Sequence, residues 1–109
     1  MILIVDDDRA VLHSLELLLK QAGFRSATAA GPGEALARLD DPGLSLVLQD
    51  MNFSRQTSGE EGLALLAEIK ARRPELPVIL ITGYAAIDNA VEAMKNGATD
   101  YLAKPFENE

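Results

Sequence analysis

The sequence contains no cysteine, which excludes disulfides, thiolate metal sites and a cysteine nucleophile. It has no apolar run approaching the ~18 residues that a membrane helix needs, and its N-terminus lacks the charged head of a signal peptide. It shows no internal repeat of constant period and no low-complexity segment. Basic residues are few: 10 Lys and Arg stand against 17 Asp and Glu, a formal charge of −7. A surface that acidic repels phosphate backbones, so this segment is not expected to bind nucleic acid itself. Together these absences predict a cytoplasmic protein with no membrane contact.

What the chain does have is enough apolar material for a core. Hydrophobic residues make up 48% of 109 positions, which suits one domain spanning residues 1–109. Residues 2–5, Ile-Leu-Ile-Val, form a wholly apolar run that stops at Asp6 and reads as a strand covered on both faces. Asp8 can cap the helix that follows. In it Val11, Leu12, Leu15, Leu18, Leu19 and Ala22 recur at helical spacing, and Gly23 supplies the stop. These leucines read as core rather than a zipper, and His13 falls on the polar side as a surface residue. Residues 24–29 make a weaker strand. Gly31-Pro32-Gly33 opens a short helix carrying Leu36 and Leu39, with Pro32 in its first turn.

Ser45 to Gln49 surround a third apolar strand that ends at Asp50, followed by a polar loop over 51–59. Ser58 and Glu61 match a capping box for a helix from about 59 to 72 that carries Leu63, Leu66 and Ile69. Pro74 and Pro77 frame the turn into Val78-Ile79-Leu80-Ile81, which ends at Thr82-Gly83. Ile87, Ala90, Val91 and Met94 mark another helix, stopped by Asn96-Gly97, and a short strand near Asp100 to Ala103 leads to Lys104-Pro105. Apolar strands alternating with amphipathic helices predict an α/β protein, a parallel sheet with right-handed crossovers and helices on both faces.

In open sheets of this kind ligands bind beyond the carboxyl ends of the strands. Asp6 and Asp7 follow the first strand, Asp50 the third, Thr82 the fourth and Lys104 the fifth, so all five polar groups fall on one edge. Two carboxylates 4 Å apart repel by ~4 kcal/mol at an effective dielectric of 20, and such a group gathers protons or a cation. An oxygen-rich site with few protein ligands and room for water suits Mg²⁺. With Lys104 as a point-charge partner for phosphate and Thr82 as a hydroxyl donor, the set suits phosphoryl transfer onto an aspartate.

Four blocks carry a resemblance over essentially the whole chain: Ile2-Leu3-Ile4-Val5-Asp6-Asp7-Asp8, Leu46-Val47-Leu48-Gln49-Asp50-Met51-Asn52, Ile79-Leu80-Ile81-Thr82-Gly83 and Tyr101-Leu102-Ala103-Lys104-Pro105-Phe106. In order and spacing they resemble the receiver domains of two-component response regulators. The resemblance implies a flavodoxin-like, doubly wound, five-stranded sheet of order 2-1-3-4-5. It implies that Asp50 is the phospho-acceptor, that Asp7 binds Mg²⁺ directly and Asp6 mainly through water, and that the backbone carbonyl of Asn52 completes the protein ligands. Thr82 and Lys104 would contact the phosphoryl group, and Thr82 with Tyr101 would form a switch that alters the surface of helix four and strand five. The implied partner is a sensor histidine kinase. The domain is then a signalling switch rather than an enzyme, catalysing only its own phosphorylation and slow dephosphorylation. Asp88 to Ala98 resemble receivers of sigma-54-dependent activators of the nitrogen-regulation type, which implies an AAA+ ATPase and a helix-turn-helix output domain in a longer transcription regulator, and a homodimer.

The chain departs from the family pattern twice. The loop from Asn52 to Gly59 is several residues longer and has no proline, and the chain stops at Glu109, where the family begins its fifth helix. The expectation is therefore a piece of a longer protein with that helix missing and apolar sheet surface uncovered beside helix one. A rival reading of Asp6-Asp7-Asp8 as a cap with dipole-favoured acids suits Asp8 best. A phosphatase of the haloacid-dehalogenase type would need an aspartate where Asn52 stands. An inactive binding module of the same fold would lack one of the five polar residues, and none is lacking. Nucleotide-binding folds would need a glycine-rich phosphate loop after the first strand, and none is there.

Overall fold

The computed structural model describes residues 1–50, 60–82, 94–95 and 97–103, with the backbone alone at 60, 61, 82 and 101–103. Its elements in chain order are β1 (Ile2–Val5), α1 (Arg9–Gln21), β2 (Ser26–Ala29), α2 (Pro32–Arg38), β3 (Leu46–Asp50), α3 (Glu60–Arg72), β4 (Val78–Thr82) and β5 (Asp100–Ala103). The five strands form one parallel sheet in the order β2-β1-β3-β4-β5, as expected. Met94 and Lys95 are helical; the rest of the helix expected from Ile87 onward, the loop 51–59, and the segment from Lys104, where the fifth helix was expected to be missing, lie outside the described residues.

Central strands of a parallel sheet are covered on both faces and so must be apolar throughout. All four residues of β1 are buried. On one face Leu3, Val5 and Val47 pack with Ala35 and Leu39 and with Leu65, Leu66 and Ile69 of α3. The face beside α1 is less complete. Leu12 is the one fully buried residue of that helix, and Leu46 and Leu48 of β3 are only half-buried. An open groove of about 410 Å³ there is lined by Ile2, Leu19, Phe24, Leu46 and Leu48, among others. Leu18, expected in the core stripe, is 63% exposed, on a helix that packs chiefly on β2 and β1.

Local chemistry sets the element ends. Asp8 caps α1, its carboxylate accepting from the Ala10 N–H at 2.9 Å; loss of such a cap costs ~1 kcal/mol. At the other end Gly23 adopts φ 92°, the Gly23 N–H donates to Lys20 O at 3.0 Å, and the Phe24 N–H donates to Leu19 O at 2.8 Å. This is a Schellman closure. It commits Phe24 to ending the helix, so the second strand begins at Ser26 and not at 24. Pro32 occupies the first turn of α2, and His13 is exposed, both as expected. The helix expected from about 59 runs Glu60–Arg72, and Ser58 of its capping box lies outside the described residues.

Candidate functional site

The ladders decide which residues meet. Val5 pairs with Gln49, so the next residues, Asp6 and Asp50, leave adjacent strands side by side. Asp50 in turn pairs with Ile81, and Thr82 pairs with Ala103, the residue before Lys104. Because the strands are parallel, every one of these ends lies on the carboxyl edge of the sheet.

One carboxylate oxygen from each of Asp6, Asp7 and Asp50 lies within 4.8 Å of the other two. Asp6 and Asp50 are 1% and 2% exposed, whereas Asp7 is open to solvent, so the cluster has a buried floor and one wet wall. Asp6 is oriented by its own turn. Its N–H donates to Ala29 O at 3.1 Å, and its Oδ1 accepts the Asp8 N–H at 2.9 Å. An aspartate bonded to the backbone two residues on is a stable local turn, and here it fixes the carboxylate just before the helix starts.

The donor set suits a hard divalent cation. Oxygens on an octahedral ion with bonds of about 2.1 Å sit roughly 3–4.2 Å apart. One oxygen from each of the three carboxylates lies within 4.8 Å of the others, close to that range. An open wall at Asp7 leaves room for the waters that such an ion keeps.

Of the residues singled out from sequence, Asp6, Asp7 and Asp50 are brought together. Thr82 ends β4, and Tyr101 pairs with Leu80 in β5, so both stand on the strands expected. Asn52 and Lys104 lie outside the described residues. Sequence reasoning passed over Gln49, which is fully buried and whose Nε2 donates to the Gly62 carbonyl of α3 at 2.7 Å. The signal was available: a lone amide in a strand that must be covered on both faces.

Comparison with known proteins adds a family to this geometry. The family model of the response regulator receiver domain matches residues 2–109. The response regulator protein FleR of Pseudomonas aeruginosa is 43% identical over 106 residues, covering 97% of this chain and 22% of that protein. The chain thus spans about a fifth of the length of the curated relatives it matches. The crystal structure of the receiver domain of NtrX from Brucella abortus superposes with a TM-score of 0.88 at 38% identity, covering 98% of this chain and 88% of that one. A response regulator protein from Burkholderia pseudomallei, solved with a phosphorylated aspartic acid, a calcium ion and citrate, gives 0.85 at 30% identity over 97% of this chain and 60% of its own.

Proposed function

The chain belongs to the response regulator receiver domain family, a family of signalling domains, and from that premise we propose that Asp50 is its phospho-acceptor and that Asp6, Asp7 and Asp50 hold a Mg²⁺ ion. The observation that carries this reading is the convergence of three carboxylates at the carboxyl edge, with Asp50 on its buried floor. Asp7 would ligate the ion directly, Asp6 would act mainly through water, and the Asn52 backbone carbonyl would complete the protein ligands. A bound Mg²⁺ offsets the charge of the acids and of the incoming phosphoryl oxygens.

An Asp50 carboxylate oxygen attacks the phosphorus of a phosphohistidine on a sensor kinase. The P–N bond breaks, its electron pair returns to the imidazole, and an acyl phosphate remains on Asp50. Lys104 supplies a point charge to the phosphoryl oxygens and Thr82 a hydroxyl donor. Slow attack by water on the same phosphorus regenerates Asp50 and releases inorganic phosphate. The acyl phosphate draws on Thr82, and Tyr101 follows, biasing two states of the surface at strand five by ~1–3 kcal/mol. In this reading residues 1–109 are the receiver of a longer cytoplasmic transcription regulator of the sigma-54 activator type. Its output is carried by an ATPase and a helix-turn-helix domain, and the receiver pairs as a homodimer.

The test is to incubate the chain with MgCl₂ and acetyl phosphate and follow its intact mass. A gain of one phosphoryl group that needs Mg²⁺ and is lost in Asp50→Asn is expected. Mg²⁺-independent labelling, or labelling that survives Asp50→Asn, would overturn the assignment.

A further inference from the structure

β2 is an edge strand, and no strand among the described residues pairs with its outer side. The Ile2 N–H donates to Arg25 O at 2.9 Å and the Asp6 N–H to Ala29 O at 3.1 Å, so those carbonyls face β1. Backbone groups alternate in direction along a strand, which turns the N–H and C=O of Ser26 and of Thr28 outward. Open edges are commonly blunted by a lysine, a proline or a bulge. The run Ser26-Ala27-Thr28-Ala29 pairs with β1 without interruption, contains neither residue, and has only small side chains.

Beside that edge lies an open groove of about 510 Å³ between α1 and β2, lined by His13, Glu16, Leu17, Lys20, Arg25 and Ser26. Leu17 is 50% exposed, a large apolar side chain half in water. Lys70, Arg72 and Arg73 are all engaged with carbonyl or carboxylate oxygens. Among the described residues the side chains of Lys20 and Arg25 have neither an ion pair nor a hydrogen bond. These six residues are net positive, with Lys20 and Arg25 against Glu16, on a chain whose formal charge is −7. A negatively charged partner is repelled by the chain as a whole and drawn to this part of it.

We propose that this edge and groove bind an extended acidic segment of a partner protein, which adds to β2 as a further strand. Ser26 and Thr28 supply the backbone hydrogen bonds, which fix register without reading side chains. Alternate side chains of an added strand point to opposite faces, so every second residue falls on the α1 side. There an apolar residue meets Leu17, and carboxylates meet Lys20 and Arg25. Two outward-facing residues hold a strand only weakly, so the groove contacts decide which segments bind. An acidic helix would answer the charges but leave the outward N–H and C=O groups unused. Asp50 takes no part in this site.

The test is an amide NMR titration of the 109-residue chain with a capped Thr-Glu-Thr-Leu-Thr-Glu-Thr peptide, whose acids and leucine share one face of a strand. Two control peptides carry Gln for Glu or a fully N-methylated backbone, and a doubly substituted chain carries Lys20→Glu with Arg25→Glu. Shifts confined to the groove residues and β2 are expected, with slowed hydrogen exchange at the Ser26 and Thr28 amides. The Gln peptide and the substituted chain should each bind about tenfold more weakly, and the N-methylated peptide not at all. The Gln peptide reads the charge without altering the chain, so the outcome holds even where the double substitution impairs folding. No shifts at millimolar peptide, or shifts centred elsewhere, would overturn the proposal. Equal binding of the Gln peptide would remove the charge recognition, and equal binding of the N-methylated peptide would remove the added strand; either overturns it as well.

Discussion

The two ends of the sheet are built on opposite principles. At the amino end, charge is used to satisfy backbone. The Arg73 guanidinium donates to the Leu39 and Asp41 carbonyls, each at 3.0 Å, tying the loop after α2 to the end of α3. Lys70 Nζ donates to Leu76 O at 2.9 Å, and its methylene stem lies 3.3 Å from where a Cβ on Gly97 would stand, so that glycine, at φ 103°, has close neighbours as well as a special backbone. Backbone bonds from Val47 to Pro77 and from Thr99 to Val78 close the same end. At the carboxyl end like charges converge, two of them buried. One end contributes stability; the other gathers carboxylates, which in the function proposed above hold a cation. Substitutions at the two ends should therefore separate folding from ion binding, in opposite senses.

The largest separation is expected from Asp7→Asn. Losing one carboxylate should weaken Mg²⁺ binding by at least the ~10–100-fold typical of less direct changes. The same change relieves repulsion, so the variant should melt at or above the wild-type Tm in EDTA. Wild-type protein should gain about 2.7 kcal/mol of stability at a Mg²⁺ concentration a hundred times its dissociation constant, and the variant should gain far less. Melting curves with and without MgCl₂ decide this. A variant less stable than wild type in EDTA would mean that Asp7 stabilises the fold.

Arg73→Met is the mirror experiment. It removes two charge-assisted bonds to carbonyls at the loop after α2 while keeping an apolar stem in place. Its Nη1 lies between two carbonyls and the side chain is 21% exposed, so screening is partial. A loss of about 2 kcal/mol is expected, or roughly 8 °C in Tm, with Mg²⁺ affinity unchanged. A change in Mg²⁺ affinity would show that the two ends are coupled.

The contrast also explains what could be read from the sequence. The carboxyl edge was legible because a parallel sheet places the residue after each strand on one rim, so Asp6, Asp7 and Asp50 could be assigned together from four apolar runs. The strand order followed from the resemblance of the same blocks, and the ladders agree with it. The amino end was not legible. Arg73 reaches 34 residues back to Leu39, and nothing in spacing or periodicity marks a side chain that binds distant carbonyls. Leu18 was misread because periodicity reports which face of a helix is apolar, not whether the sheet beneath extends far enough to cover it. Phe24 was read as strand because its β preference outweighed a Schellman closure that depends on the left-handed Gly23.

Glu75 gives the smallest effect and the finest test of the amino end. Hydrogen bonding to its own backbone, and then Arg73 Nε at 3.0 Å, hold its carboxyl below the usual glutamate range. Its side chain is 66% exposed, so salt screens the pair. A depressed folded-state value means the ionised form is favoured by folding. That contribution is complete above the unfolded value of about 4.3 and fades as pH falls through the lower folded value. Glu75→Gln should therefore melt slightly below wild type at neutral pH and low salt. The two curves should converge as the solution is acidified past that range, and again at 1 M salt at any pH. Because Glu75 also fixes the guanidinium that binds the Leu39 and Asp41 carbonyls, the difference should disappear in an Arg73→Met background. A difference that persists there would place the role of Glu75 in its own backbone bond rather than in holding Arg73.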